Sequence, residues 1–255
     1  VLLVPHLLKA MVEAAESGRP LPDSQRFVAV GGAPVAESLL ARARAAGLPA
    51  YQGYGLSEAA SVVCLNVPGA DRPGSVGRPL PHVSVRIAED GEIMVRGEVS
   101  PGYLGETPHA RGECATGDLG RMDEDGFIHV TGRKKSSYAT AFGRNVAPEW
   151  VESELLSHPA VAQALVCGEA RPYNVAVLVP RGAAAAAQIP TAVSQANRRL
   201  PDYARVARWV IAQEAFTPRN GQSNGAGVTQ RRAVEARYAA HIAACYDREP
   251  CRDVL

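Results

Sequence analysis

The 255-residue chain is 46% hydrophobic and 21% charged, with a formal net charge of +1; this is ordinary globular composition, enough for one large domain or two modest ones. Near-neutral charge excludes a broad electrostatic footprint for nucleic acid or an anionic membrane, so any anionic ligand must be held by local groups. The five cysteines (Cys64, Cys114, Cys167, Cys245 and Cys251) are scattered and form no C-x-x-C pair. That argues against a zinc site or a disulfide framework and for a reducing, cytoplasmic compartment.

The opening segment, VLLVPHLLKAMVEAAESG, starts at Val1 and is too short to span a bilayer. Leu3, His6 or Leu7, Ala10 or Met11 and Ala14 recur at helical spacing, which predicts an amphipathic helix closing at Gly18. A chain that opens inside a helix reads as part of something longer. Phe27-Val28-Ala29-Val30 then predicts a buried strand, followed by the turn Gly31-Gly32-Ala33-Pro34, a helix over residues 35–46 stopped by Gly47, and a second strand over residues 51–56. Strand, helix, strand at this spacing is a βαβ unit with a parallel sheet.

Pro and Gly become dense over residues 68–81. Two alternating runs, Val83-Ser84-Val85-Arg86-Ile87 and Glu92-Ile93-Met94-Val95-Arg96, flank Asp90-Gly91, a hairpin signal that recurs at Asp125-Gly126. Residues 74–131 therefore read as a small antiparallel module. Beyond it, residues 148–158 predict a helix with Pro in its first turn, residues 160–166 and 175–179 strands, and residues 193–200 a helix. The alanine run 183–187 is helical filler. The expected domains are 1–132 and 133–255.

Four segments carry candidate chemistry. Gly31-Gly32-Ala33-Pro34 would let a flat ring or a phosphate approach the backbone, or is simply a turn. Tyr51-Gln52-Gly53-Tyr54-Gly55-Leu56-Ser57-Glu58 offers an aromatic face, a hydroxyl and a hard carboxylate oxygen, a set that suits a magnesium-bound phosphate. Thr116-Gly117-Asp118-Leu119-Gly120 places a carboxylate at a strand edge, where it could accept from two vicinal hydroxyls or sit in a β-turn. Gly132-Arg133-Lys134-Lys135, followed by Gly143-Arg144-Asn145-Val146-Ala147-Pro148, brings cations that could meet nucleotide oxygens. For Lys134 a solvated linker is the better reading.

Together GGAP, YQGYGLSEA, TGDLG with EDGFIHVTGRKK, and GRNVAPEWVE resemble, in order and spacing, the adenylate-forming ANL superfamily of acyl-CoA synthetases, adenylation domains and luciferases. The likeness spans residues 27–238. NVAP, Phe216-Thr217-Pro218 and Arg231-Arg232-Ala233-Val234 are most similar to long-chain fatty acyl-CoA synthetases. The resemblance implies an α/β fold: the end of the large adenylate-forming domain (parallel βαβ plus antiparallel module), then a small, mobile α+β C-terminal domain. It implies ATP, Mg²⁺ and coenzyme A as cofactors, a carboxylic acid of the fatty class as substrate, and coenzyme A or a carrier protein as acceptor. Neither nucleic acid nor a transmembrane segment is expected.

Residue by residue, the resemblance puts Gly32, Ala33 and Pro34 beside adenine, stacks Tyr54 on the base, sets Gly53 near the acyl carboxylate and counts Gly55 among the cofactor-binding residues. It makes Ser57 the phosphate-facing hydroxyl and Glu58 the Mg²⁺ ligand, these two being the expected catalytic pair. Asp118 and Arg133 would grip the ribose, Lys135 would be the domain hinge, and Gly143 would line the pantetheine tunnel. Two departures stand out. The family's Ser/Thr/Gly-rich phosphate loop belongs upstream, and GQSNGAG near residue 221 sits at the wrong end to replace it. The family's C-terminal catalytic lysine falls on Val228, and no lysine follows Lys135; such a loss is expected to slow adenylation by about 10²–10³. A non-catalytic binder of nucleotide or acyl-adenylate is therefore the alternative. A sheet left without its cover also predicts self-association.

Overall fold

The structure is a computed structural model describing residues 1–21, 24–102, 104–105, 112–225 and 228–247. The chain forms two compact units, Val1–Lys135 and Ser136–Leu255, which meet along the chain three residues beyond the expected boundary.

The first unit opens with strand β1 (Leu2–Leu3), not with a helix. Helix α1 (Pro5–Glu16) begins only at Pro5, because proline at the first helical position sacrifices no hydrogen bond and Val4 is extended. Strand β2 (Val28–Val30), helix α2 (Glu37–Ala45) and strand β3 (Ala50–Tyr54) complete the βαβ unit, with β1, β2 and β3 parallel. Short strand β4 (Cys64–Leu65) extends this sheet antiparallel to β3, and β5 (Arg78–Pro79) follows antiparallel to β4. Residues 78–79 thus belong to the first sheet, and the antiparallel module starts later than residue 74. Leu8 and Val12 of α1 and Leu39, Leu40 and Ala43 of α2 share one apolar cluster with Val28, Val30 and Ala50. Both helices therefore cover the same face. On the other, Leu2 is 76% exposed.

The module is a meander of β6 (Val83–Ile87), β7 (Glu92–Gly97), β8 (Glu113–Met122) and β9 (Ile128–Arg133). The Pro/Gly-rich segment before it is tied to the β8–β9 turn. Arg72 donates to Asp123 (2.7 Å) and Asp125 (2.6 Å), and the guanidinium groups of Arg72 and Arg78 lie 4.6 and 4.5 Å from the Phe127 ring centre.

The second unit opens with a small hairpin, β10 (Tyr138–Ala139) and β11 (Asn145–Val146), followed by α3 (Pro148–Leu156). Strand β12 (Val161–Cys167) pairs antiparallel with β13 (Asn174–Pro180), a 3₁₀ turn over Ala183–Gln188 leads into α4 (Ile189–Asn197), and β14 (Val206–Ile211) joins β13 in parallel. Helix α5 (Arg231–Tyr246) closes the unit. β13 is a central strand with two apolar faces. Ala176 and Leu178 pack in the cluster that holds α3 and α4, while Val177 and Val179 pack in the one that holds Val234 and Tyr238 of α5. Among the described residues no helix is long and apolar enough to cross a membrane.

Candidate functional site

Parallel α/β sheets present ligands at the carboxyl ends of their strands, and two of the singled-out segments lie there. Gly31 ends β2 so close to β3 that a Cβ would stand 2.8 Å from the carbonyl oxygen of Gly53. Gly32 follows with φ +78°, a left-handed conformation that suits glycine. Gly32, Ala33 and Pro34 are exposed.

β3 runs out at Tyr54, and the chain then folds back so tightly that a Cβ on Gly55 would be 1.6 Å from the Ser61 carbonyl oxygen. The fold-back forces Ala60 and Ser61 to φ +53° and +80°. Ser57 and Glu58 lie in its 3₁₀ turn, Ser57 exposed and Glu58 half-buried, with the Glu58 carbonyl accepting from the Ser100 amide at 2.7 Å.

The decisive geometry joins the two sheets of the first unit. The Tyr54 hydroxyl donates to Asp118 Oδ2 at 2.7 Å, and Arg133 Nε donates to Asp118 Oδ1 at 2.8 Å. Asp118 and Arg133 are direct register partners on β8 and β9. The Asp118 side chain is only 8% exposed, whereas that of Arg133 is 61% exposed. Asp118 thus stands on an internal strand, not at the strand edge that the sequence suggested. What frees its side chain is a bulge: between the pairs Glu92–Leu119 and Met94–Ala115, one residue of β7 faces three of β8. Burial, and after it the negative Asp118, push the Tyr54 phenol well above its usual range, so it remains a donor. Burial also pushes the neighbouring Cys64 thiol up to about 12, leaving it an apolar filler, not a nucleophile.

Lys134 does not reach toward a nucleotide. Its ammonium is held by Asp90 Oδ2 (2.5 Å) and Glu92 Oε2 (2.9 Å), and those two bonds raise its pKa. Lys135 is exposed in the turn that ends the first unit. Gly143 belongs to the second unit, at the tip of the β10–β11 hairpin, with φ +71° and its amide bonded to the Thr140 carbonyl at 2.9 Å. The structure therefore joins Tyr54, Asp118 and Arg133 by direct bonds. Gly32, Ala33 and Pro34 lie on the turn that follows β2, Gly53 lies within β3, Gly55, Ser57 and Glu58 lie in the fold-back after it, and Gly143 lies in the other unit.

Val228 is 59% exposed, with its amide bonded to Asn224 Oδ1 at 2.9 Å; Ala226 and Gly227 of the preceding glycine-rich run lie outside the described residues, as does Cys251. Sequence reasoning missed Glu92, whose carboxylate meets both Lys134 and the turn at Gly117. Its position in an alternating strand carries no signal of that role.

Residues 1–104 match the family of AMP-binding enzymes, and residues 137–250 match the AMP-binding enzyme C-terminal domain. The long-chain-fatty-acid–CoA ligase FadD15 of Mycobacterium bovis is 35% identical over 88% of this chain and 42% of that relative. The 2-succinylbenzoate–CoA ligase of Bacillus cereus is 39% identical over 58% of this chain and 34% of its own. Among solved structures, o-succinylbenzoate-CoA synthetase (MenE) from Bacillus subtilis in complex with the acyl-adenylate intermediate aligns with a TM-score of 0.74 and 29% identity, over 92% of this chain and 50% of that one. The chain spans about half the length of the relatives it matches or less. By sequence and fold it belongs to the AMP-binding enzymes of the adenylate-forming ANL superfamily and carries part of their length.

Proposed function

We propose that this chain supplies the nucleotide-gripping and thiol-delivering part of an ATP-dependent acyl-CoA ligase. The observation that carries the reading is the buried Asp118 carboxylate held between Tyr54 and Arg133. A carboxylate has about four lone-pair positions. Tyr54 and Arg133 each occupy one, so Asp118 keeps capacity to accept from the two vicinal hydroxyls of a ribose. Arg133, largely exposed, is free to turn its remaining N–H groups toward the same sugar or its phosphate.

In the adenylating half-reaction, a carboxylate oxygen of the acid attacks the α-phosphorus of ATP and pyrophosphate leaves. In the second, the thiol sulfur of coenzyme A attacks the acyl carbon, AMP leaves, and the thiol proton passes to solvent. Asp118 and Arg133 keep the nucleotide fixed through both, which is positioning catalysis. Glu58 and Ser57 provide hard oxygen donors that fit magnesium shared with phosphate oxygens, and that ion would spread the charge developing on the phosphoryl group. Gly143, at an exposed hairpin tip, is the proposed pantetheine contact, and Lys135 the hinge. The likeness to a long-chain-fatty-acid–CoA ligase over 88% of the chain, against 58% for the 2-succinylbenzoate–CoA ligase, favours a fatty acid over an aromatic one.

Val228 favours a second reading, an adenylate binder that forms the adenylate slowly or not at all, because an apolar side chain stands where the resemblance calls for a cation. Calorimetric titration with ATP–Mg²⁺ and with a non-hydrolysable acyl-adenylate mimic tests both. Binding of the mimic that is lost in Asp118→Ala supports the nucleotide grip, and pyrophosphate release in a parallel assay supports the ligase over the binder. No binding of either ligand would remove Asp118 as a nucleotide residue.

A further inference from the structure

The Asp118 side chain leaves β8 at a bulge, and side chains on either side hold that bulge in place. Glu92 Oε1 accepts from the Gly117 amide at 2.8 Å, while its other oxygen accepts from Lys134 at 2.9 Å. Lys134 closes the loop, since its own amide donates to the Gly117 carbonyl at 2.8 Å. The ammonium is steadied further by Asp90 at 2.5 Å. Thr116 adds a second pin, donating through Oγ1 to the Ile93 carbonyl (2.7 Å) and accepting there from the Asp118 amide (3.1 Å). Gly117 sits at φ +71°, so the peptide before Asp118 is turned out of the strand and needs fixing.

We infer that Glu92 is a positioning residue for nucleotide binding: with Lys134 it locks the Thr116-Gly117-Asp118 bulge so that the Asp118 carboxylate points at a ribose. The inference rests on Asp118 being the ribose-binding group proposed above. Glu92 touches no substrate; it acts through the Gly117 amide. Without it, the bulge loses the only side-chain acceptor that the described residues offer to that amide. Asp118 then samples several directions, and its hydrogen bonds to two hydroxyls at once become costly.

The test compares AMP with 2′,3′-dideoxy-AMP, which differ only in the hydroxyls that Asp118 would grip, and follows the Gly117 amide by hydrogen exchange in the 255-residue chain. The wild type is expected to bind AMP at least about tenfold more tightly than the dideoxy compound, the scale of one or two hydrogen bonds to a charged group. Glu92→Ala should lose most of that preference while its dideoxy affinity stays constant, and its Gly117 amide should exchange faster. Glu92→Gln, which keeps an oxygen for the Gly117 amide, should recover a good part of the preference, and circular dichroism should show both variants folded. A Glu92→Ala variant that weakens both nucleotides equally, or neither, overturns the positioning role and leaves the Asp118 reading intact. A wild type with no preference for AMP, in which Gly117 still exchanges faster after Glu92→Ala, removes the ribose reading and the inference with it, leaving only a structural clamp.

Discussion

In the second unit β13 is covered on both faces, by α3 and α4 on one side and by α5 on the other. In the first, α1 and α2 cover the same face of β1–β3, and apolar Leu2 stands in the open on the other. The units also treat charge differently. Beside the pair of Arg133 with the buried Asp118 carboxylate, the first carries exposed ion pairs, among them Glu16–Arg42 and Lys134 with Asp90. The second, lysine-free, holds its inward carboxylates with arginines: Arg199 donates to Glu154 Oε2 at 2.6 Å, and Arg231 donates to Glu152 Oε1 at 2.7 Å and to the Val166 carbonyl at 2.7 Å, while Glu152 accepts the Val166 amide. A unit with a doubly covered sheet can carry its stability in its interior. One covered on a single face leaves apolar surface for something else to cover.

The largest effect that would break this comparison lies in the buried pair. Arg231→Met leaves Glu152 buried without its partner and is expected to cost about 3–5 kcal/mol in thermal or denaturant unfolding, with the double variant Glu152→Leu/Arg231→Met regaining much of it. The pH dependence has a definite sign. Burial raises the Glu152 pKa above its ordinary 4.5, against the opposing pull of Arg231. A carboxylate that binds its proton more tightly when folded contributes stability that is whole below 4.5 and is lost as pH rises through the folded value. Removing Arg231 takes away the opposing pull, so this loss should steepen in Arg231→Met between pH 4.5 and neutrality. A flat profile would place Glu152 in water, not in the interior.

An intermediate effect concerns the open face. The chain is expected to self-associate in sedimentation, and Leu2→Lys should weaken that association by about tenfold or more, since burying one leucine is worth roughly 1.5–3 kcal/mol. Residues 136–255 alone should stay monomeric. Association of that fragment, or a monodisperse monomer of the whole chain, would erase the contrast. The smallest effect is at the surface: Arg42→Ala, which removes the exposed pair with Glu16 at 2.7 Å, should change unfolding free energy by no more than about 1 kcal/mol.

What could be read from the sequence follows from how local each signal is. Asp90-Gly91 between alternating runs gave β6 and β7 to the residue at their starts, because turn chemistry and strand period agree there. β14 and α5 were missed for opposite reasons. Val206–Ile211 is a strand without a turn signal of its own, paired through a parallel crossover. In α5 only Val234 and Tyr238 are buried, too thin a stripe to show among alanines and arginines. Two-residue strands such as Leu2–Leu3 are made by their neighbours, and the helical spacing through Leu3 hid that one. At the candidate site, family resemblance singled out Tyr54, Asp118 and Arg133, which the structure joins by direct bonds. The bulge that aims Asp118, and Glu92 beneath it, depend on a strand register that no stretch of sequence encodes alone.

The tight return after β3 has a consequence for how this part of the protein can change over generations. At position 55 even a methyl group would overlap the Ser61 carbonyl, so every codon but glycine is rejected by shape before any chemistry is tried. Two residues on, Ser57 faces solvent and is under no such embargo. Variation in this segment can therefore enter at its exposed hydroxyl position but not at Gly55. That makes the path of the backbone there the inherited quantity, and the side chains on it the negotiable one.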